Sequence, residues 1–166
     1  MELTPGWYAL YTRSRAEKAV HDELNKKGVE AFLPMTRRLR QWKDRKKWVD
    51  FPLFPGYLFI QIVPSPEERV RVLKVKGAVH ILGLNPHTPI PDPEIESIRR
   101  LLEHPELLDP HPFLEVGRRV RVVRGPFIGV EGILLEKRKK SRLVVAVSLL
   151  KQAVSTEVDA DDVEAV

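Results

Sequence analysis

The chain has 166 residues, 43% hydrophobic and 31% charged. That balance is expected of a soluble globular protein, and no apolar run nears the ~20 residues that cross a bilayer. Lys and Arg exceed Asp and Glu by 28 to 23, a net charge of +5 that leans towards polyanionic partners. Zero cysteines exclude a disulfide framework and thiolate chemistry, and with no secretory signal pattern at the start the cytoplasm is the expected location.

Residues 7–13, Trp-Tyr-Ala-Leu-Tyr-Thr-Arg, predict a strand, with Trp7 in the core. Ser14 is placed to cap a helix over 15–27, where Ala16, Ala19, Val20 and Leu24 recur at helical spacing and Gly28 stops the last turn. Residues 30–39 and 47–63 predict two antiparallel strands joined by a long, basic hairpin tip, 40–46. Pro66, Glu67 and Glu68 suit the first turn of a helix that ends before Gly77. A strand over 78–82, a proline-rich loop over 85–93 and a helix over 94–103, with Ile95, Ile98, Leu101 and Leu102 on one face, complete this half. The expected class is α+β, an N-terminal antiparallel sheet with helices packed on it.

Pro105, Pro110 and Pro112 oppose both helix and central strand, so a linker is expected at 105–113. Short β-branched runs at 119–123, 132–136, 142–149 and 154–158 follow, a pattern that can close as a small five-stranded barrel. The expected organisation is therefore a domain over 1–104, the linker, and an SH3-like β-barrel over 114–166.

Three features carry candidate chemistry. In Leu-Phe-Pro-Gly-Tyr-Leu-Phe, residues 53–59, Tyr57 and Phe59 share one face of a strand, while Pro55-Gly56 bends the chain and re-aims Phe54. That cluster is a candidate docking surface; core filling is the competing reading of the same aromatics. Between Arg37 and Lys47 seven basic residues face a single acid, Asp44, with Trp42 and Trp48 interleaved. Arg40, Trp42 and Lys43 are the candidate nucleic-acid contacts there, against the plainer reading of a solvated hairpin tip. In the C-terminal half, Gly125 and Gly129 bracket a turn with Phe127 at its tip, and Lys137-Arg138-Lys139-Lys140 forms a basic loop suited to RNA.

Catalytic signatures are missing. The five histidines lack zinc-type spacing, and neither a phosphate-binding Gly-Lys-Ser/Thr loop nor a Gly-x-Ser-x-Gly elbow occurs. Asp159, Asp161 and Asp162 lie close together near the chain end, where a solvated edge is the expectation rather than a metal site. A non-enzyme without cofactor or metal is expected.

The Trp-Tyr-x-Leu-Tyr-Thr-Arg run, the helix ending in Lys26-Lys27-Gly28 and the 53–59 motif resemble the amino-terminal (NGN) domain of NusG-type transcription elongation factors. The segment Val-Gly-Arg-Arg-Val-Arg-Val-Val-Arg-Gly-Pro-Phe-Ile-Gly-Val-Glu-Gly, 116–132, resembles their KOW motif. The resemblance implies a factor that binds the clamp helices of RNA polymerase and promotes processive elongation or antitermination. Its docking residues by position are Tyr11, Phe54, Tyr57 and Phe59. It further implies contact with the non-template DNA strand through Arg13, Lys26, Lys27 and Lys76 as one basic patch, although Lys26 and Lys27 also suit a helix end. Arg69 and Arg71 fall in the region the family turns to the polymerase gate. The KOW barrel would recruit RNA, a ribosomal protein or a termination factor through Phe127, Leu149 and Leu150.

A monomer with no membrane association is expected. Where family members carry Ile-Phe-Gly-Arg and then Thr-Pro-Val-Glu, this chain has Leu149-Leu150-Lys151-Gln152 and Val154-Ser155-Thr156-Glu157. That departure resembles the specialised, operon-specific paralogues of the RfaH, UpxY and LoaP kind. An RfaH-like helical C-terminal hairpin is disfavoured by the β-branched content of 116–158. The alternative role is a KOW-containing, ribosome-associated RNA-binding protein without polymerase contact.

Overall fold

The computed structural model describes residues 4–111, 117–137 and 140–166. Pro112 and Phe113 of the expected linker, the start of the barrel segment at 114–116, and Arg138 and Lys139 of the basic run lie outside the described residues. In chain order the first elements are β1 (Gly6–Thr12), α1 (Glu17–Lys26), β2 (Glu30–Phe32), β3 (Met35–Gln41), β4 (Lys46–Pro52), β5 (Tyr57–Ile62), α2 (Pro66–Leu73), β6 (Ala78–Leu82) and α3 (Asp92–Leu101). They are followed by β7 (Asp109–His111), β8 (Arg118–Val122), β9 (Glu131–Lys137), β10 (Lys140–Val147), β11 (Gln152–Val158) and β12 (Val163–Ala165). Mixed helix and antiparallel sheet make this the expected α+β class. No helix among the described residues is long and apolar enough to cross a membrane.

The chain forms two compact units that do not follow chain order. One comprises Met1–Pro34 and Phe54–Asp92, the other Met35–Leu53 and Pro93–Val166. The first unit is an antiparallel sheet ordered β2-β5-β1-β6. Tyr8, Leu10, Leu58, Ile60 and Ile62 alternate to one side and join Val20 and Leu24 of α1 and Val72 of α2 in one buried cluster. Helix α1 closes as the glycine signal predicts. Gly28, at φ +80, donates to the Asn25 carbonyl and Val29 to that of Leu24, the paired bonds of a Schellman stop.

Its start differs from expectation, because Ser14 does not cap it. Residues Arg13 to Ala16 form a tight turn, closed by the Ala16 amide on the Arg13 carbonyl with Arg15 at φ +64. The helix then begins without a side-chain cap. Helix α2 is capped, by Ser65, whose hydroxyl accepts from the Glu68 amide.

The two long strands expected over 30–39 and 47–63 are each broken, at Leu33-Pro34 and at Leu53 to Gly56. Proline has no N–H for a central ladder, so the chain leaves the sheet there. The residues in between form a separate ribbon, β3–β4, and its tip shrinks to Trp42 through Arg45, with Arg40 paired to Lys47 inside the ladder.

The second unit holds this ribbon, α3 and a six-stranded antiparallel sheet ordered β12-β8-β9-β10-β11-β7. Four of these strands, β8 to β11, answer to the β-branched runs, and β12 adds a fifth that no such run marks. The sixth, β7, comes from the proline-rich stretch read as linker. It lies at the sheet edge, where Pro110 is tolerated because an edge strand can spare its N–H. Val120, Val122, Leu143, Val145, Val147 and Val154 are buried. At the root of the ribbon the Thr36 hydroxyl donates to the Pro105 carbonyl at 3.0 Å.

Candidate functional site

The aromatic cluster is built around one turn. The Tyr57 amide donates to the Phe54 carbonyl at 3.0 Å, with Pro55 and then Gly56 at φ +85 between them. This is the arrangement a type II turn requires. It folds Phe54 back against Phe59, ring edge to face at 5.9 Å. Phe59 is paired with Ala9 on one side and Phe32 on the other, so it is enclosed within the sheet. Phe54 and Phe59 are 1% and 0% exposed.

The other two expected docking residues stand differently. Tyr57, at the first position of β5, is paired with Tyr11, and their rings lie 5.3 Å apart. Tyr11 is 43% exposed and Tyr57 half-buried. A Cβ on Gly56 would come within 3.3 Å of the Tyr11 ring, so glycine serves both the turn and the ring beside it. Alternation correctly puts Tyr57 and Phe59 on one face but is silent on depth. The strand end is open, and the strand middle is not.

The expected basic patch divides in two. The Arg13 amide donates to the Gly77 carbonyl at 2.9 Å, which places Arg13 beside exposed Lys76. Gly77 sits at φ +98, and a Cβ there would meet Val20 at 3.0 Å and Ala16 at 3.1 Å. Lys26 and Lys27 lie at the far end of α1, ten residues or about 15 Å of helix away. There the Arg71 guanidinium donates to the Lys27 carbonyl, as a cation at a helix C-terminus does. Arg69 instead borders a cavity of ≈ 800 Å³ with Val70, Leu73, Lys74, Leu84 and His87.

The ribbon carries the other basic candidates. Exposed Arg40 lies over the Phe51 ring at 4.6 Å, and Trp42 is 56% exposed. Lys43 occupies the bend next to Asp44, in the four-residue loop closed by the Trp42 amide on the Arg45 carbonyl.

In the second unit, Gly125 and Gly129 take φ +96 and +91 as the turn expectation requires. Phe127, however, is not at the surface. It is 3% exposed and meets the His104 ring edge-on at 5.7 Å, while Ile128, 51% exposed, forms the apolar tip. Leu150 is buried and Leu149 half-buried. Arg100 of α3 donates to the Ile128 carbonyl at 3.0 Å. Glu94, also on α3, accepts from the Ser148 amide at 3.4 Å, and burial holds its carboxyl above the ordinary range.

The family profile described as "Transcription termination factor nusG" matches residues 5–99. The chain belongs to the NusG family. Curated NusG relatives span nearly its whole length. The "Transcription termination/antitermination protein NusG" of Vibrio vulnificus is 28% identical over 95% of this chain and 94% of its own. The protein of the same name from Borreliella burgdorferi is 25% identical over 98% and 99%. That of Escherichia coli K12 is 34% identical over 67% of this chain and 64% of its own. A solved structure, "Domain interaction in Thermotoga maritima NusG", covers 98% of both chains at 22% identity with a TM-score of 0.54, a likeness of fold.

These relatives are transcription termination/antitermination factors, and the matched range, 5–99, includes the aromatic turn and the Arg13–Gly77 junction. Among the described residues no cluster of three or more His, Cys, Asp or Glu is placed to hold a metal ion. Three arginines of the second unit of this NusG-family chain are engaged in ion pairs. Arg121 meets Glu131 at 2.6 Å, Arg124 meets Asp162 at 3.5 Å, and Arg142 joins Asp109 and Glu157.

Proposed function

We propose that this chain rides on transcribing RNA polymerase and promotes processive elongation or antitermination. It would grip the polymerase clamp helices through exposed Tyr11 and half-buried Tyr57 beside it, with Phe54 and Phe59 holding that pair from within the sheet. The observation that carries the reading is two tyrosine rings in tilted contact at an open strand end, beside the buried Phe54 and Phe59. Aromatic anchors of this kind concentrate binding energy at interfaces. Arg13 and Lys76, side by side and exposed, would meet the non-template DNA strand through its phosphates. On this reading residues 1–104 dock on polymerase and 114–166 recruit a partner, with Ile128 and Leu149 rather than Phe127 and Leu150 at the contact.

The competing ribosome-associated, RNA-binding role would need free cations on the C-terminal strands. Of the cations there, Arg121, Arg124 and Arg142 are engaged in ion pairs with acids of the same unit. The deciding experiment is binding of the full chain to purified RNA polymerase, with pause lifetimes measured in the same samples. Tyr11→Ala with Tyr57→Ala is expected to abolish both effects while the protein stays folded. Unchanged polymerase binding would refute the docking role.

A further inference from the structure

The β3–β4 ribbon is chemically two-faced. Antiparallel pairing places Arg37 opposite Asp50, Arg38 opposite Val49, Leu39 opposite Trp48, Arg40 opposite Lys47 and Gln41 opposite Lys46. Residues directly opposite share a side, and alternate residues along a strand return to it. One face therefore presents Arg38, Arg40 and Lys47, and by continuation into the closed loop Trp42 and Arg45. The position of Arg40 over the Phe51 ring, two pairs down the same face, agrees with this assignment. The other face presents Arg37 already paired with Asp50 at 3.3 Å, together with Leu39, Gln41, Lys46 and Trp48.

The first face contains no acid. Arg40 and Lys47 are like charges placed directly opposite, an arrangement that destabilises a ladder, and none of its four cations has an ion-pair partner among the described residues. A polyanion relieves that repulsion. Exposed Trp42 at the end of the row adds a flat apolar surface of the size of a base. Cations in a row with an aromatic platform are the two components of single-strand recognition, the charges following the phosphates and the ring stacking on a base.

We propose that this acid-free face of the ribbon binds single-stranded nucleic acid, tracking its phosphates with Arg38, Arg40, Arg45 and Lys47 and stacking a base on Trp42. The opposite face takes no part. Phosphates and a base face are common to every sequence, so the contact is indifferent to sequence. This site goes beyond the proposed polymerase docking and is measured without polymerase, so either can fail alone.

The test uses the full chain with short oligo-dT and oligo-rU. Neutralising one face, Arg38→Gln with Lys47→Gln, is expected to weaken binding about tenfold at low salt. The same charge change on the other face, Arg37→Gln with Lys46→Gln, is expected to change it by less than about twofold. Equal losses from the two pairs overturn the proposal, because bulk charge alone would produce them. The logarithmic salt slope of the unaltered protein is expected near about −3, for four neutralised phosphates at roughly −0.7 each; a flat salt dependence refutes it.

Tryptophan emission gives a second readout that tolerates any loss of stability. Oligo-dT is expected to quench the protein and the Trp48→Phe variant alike, and to leave Trp42→Phe unquenched. A duplex of the same length, whose bases are already stacked, is expected to leave Trp42 emission unchanged. Quenching that follows Trp48, or that a duplex reproduces in full, overturns the assignment.

Discussion

Tyr11 and Tyr57 face each other across β1 and β5 with ring centroids 5.3 Å apart, and Gly56 leaves the space beside them open. Their exposure separates binding from stability in a way that Phe59, on the same face, cannot. Tyr11→Ala removes a ring contact worth about 1 kcal/mol and little buried area. Phe59→Ala empties a fully enclosed site and is expected to cost about 3–5 kcal/mol. Urea denaturation should rank Phe59→Ala far below Tyr11→Ala in stability. Polymerase affinity per folded molecule should rank them the other way.

Gly132 tests the packing of the second unit. It lies in β9, and a Cβ there would stand 2.5 Å from the Val144 carbonyl oxygen and 3.1 Å from a Leu143 methyl. A backbone oxygen in a ladder cannot swing aside as a flexible side chain can. Gly132→Ala is therefore expected to destabilise the protein by about 1–3 kcal/mol through overpacking. Gly125→Ala is limited by its positive φ alone, since its nearest neighbour, an Asp162 oxygen, is 3.9 Å away. Thermal unfolding should show the larger shift for Gly132→Ala; a smaller one would mean that the strands part easily at that point.

Local signals were legible where one segment decides the outcome alone. The periodicity of α1 and its Gly28 stop, the strand β6 and the stripe of α3 all stand in the sequence and in the structure. What depends on distant neighbours was not. The parity of Tyr57 and Phe59 predicts a shared face, but Phe59 is enclosed only because Phe32 and Ala9 arrive on either side. Phe127 looked like a turn tip, yet its enclosure depends on His104, well outside its own motif. Strand β7 was hidden by its proline, which argues against a central strand but not against an edge. The split of the basic patch, by contrast, was available in advance. Arg13 and Lys26 flank one helix, and 1.5 Å per residue keeps its two ends apart.

Ser65 offers a clean measure of helix α2. Its hydroxyl accepts from the Glu68 amide at 3.2 Å, one of the donors that a helix start leaves without an internal partner. Ser65→Ala should cost about 1 kcal/mol and Ser65→Asp should restore it, because an aspartate both caps and favours the positive end of the helix. Chemical denaturation of the three proteins side by side checks the order. An alanine variant as stable as the parent would mean that water replaces the cap without loss.

Glu94 gives the second unit a pH dependence of definite sign. Burial raises its carboxyl above the ordinary value of 4.5, and the Ser148 amide and the Arg119 guanidinium offset that rise only in part. The folded protein thus holds this proton at a pH where the unfolded chain has released it. Stability then falls as pH rises, through the window between 4.5 and the raised folded value. Below the window Glu94 is protonated in both states, so its contribution is complete there. Glu94→Gln keeps an oxygen for the Ser148 amide and removes the titration. Subtracting the variant's urea midpoints from the parent's across the acidic range isolates this one group. The parent is expected to lose ground to Glu94→Gln as pH climbs through the window and to trail it at neutral pH. A difference that stays constant with pH would show that the Glu94 carboxyl is ionised in the fold as readily as in the free chain, the Ser148 and Arg119 contacts cancelling the effect of its burial.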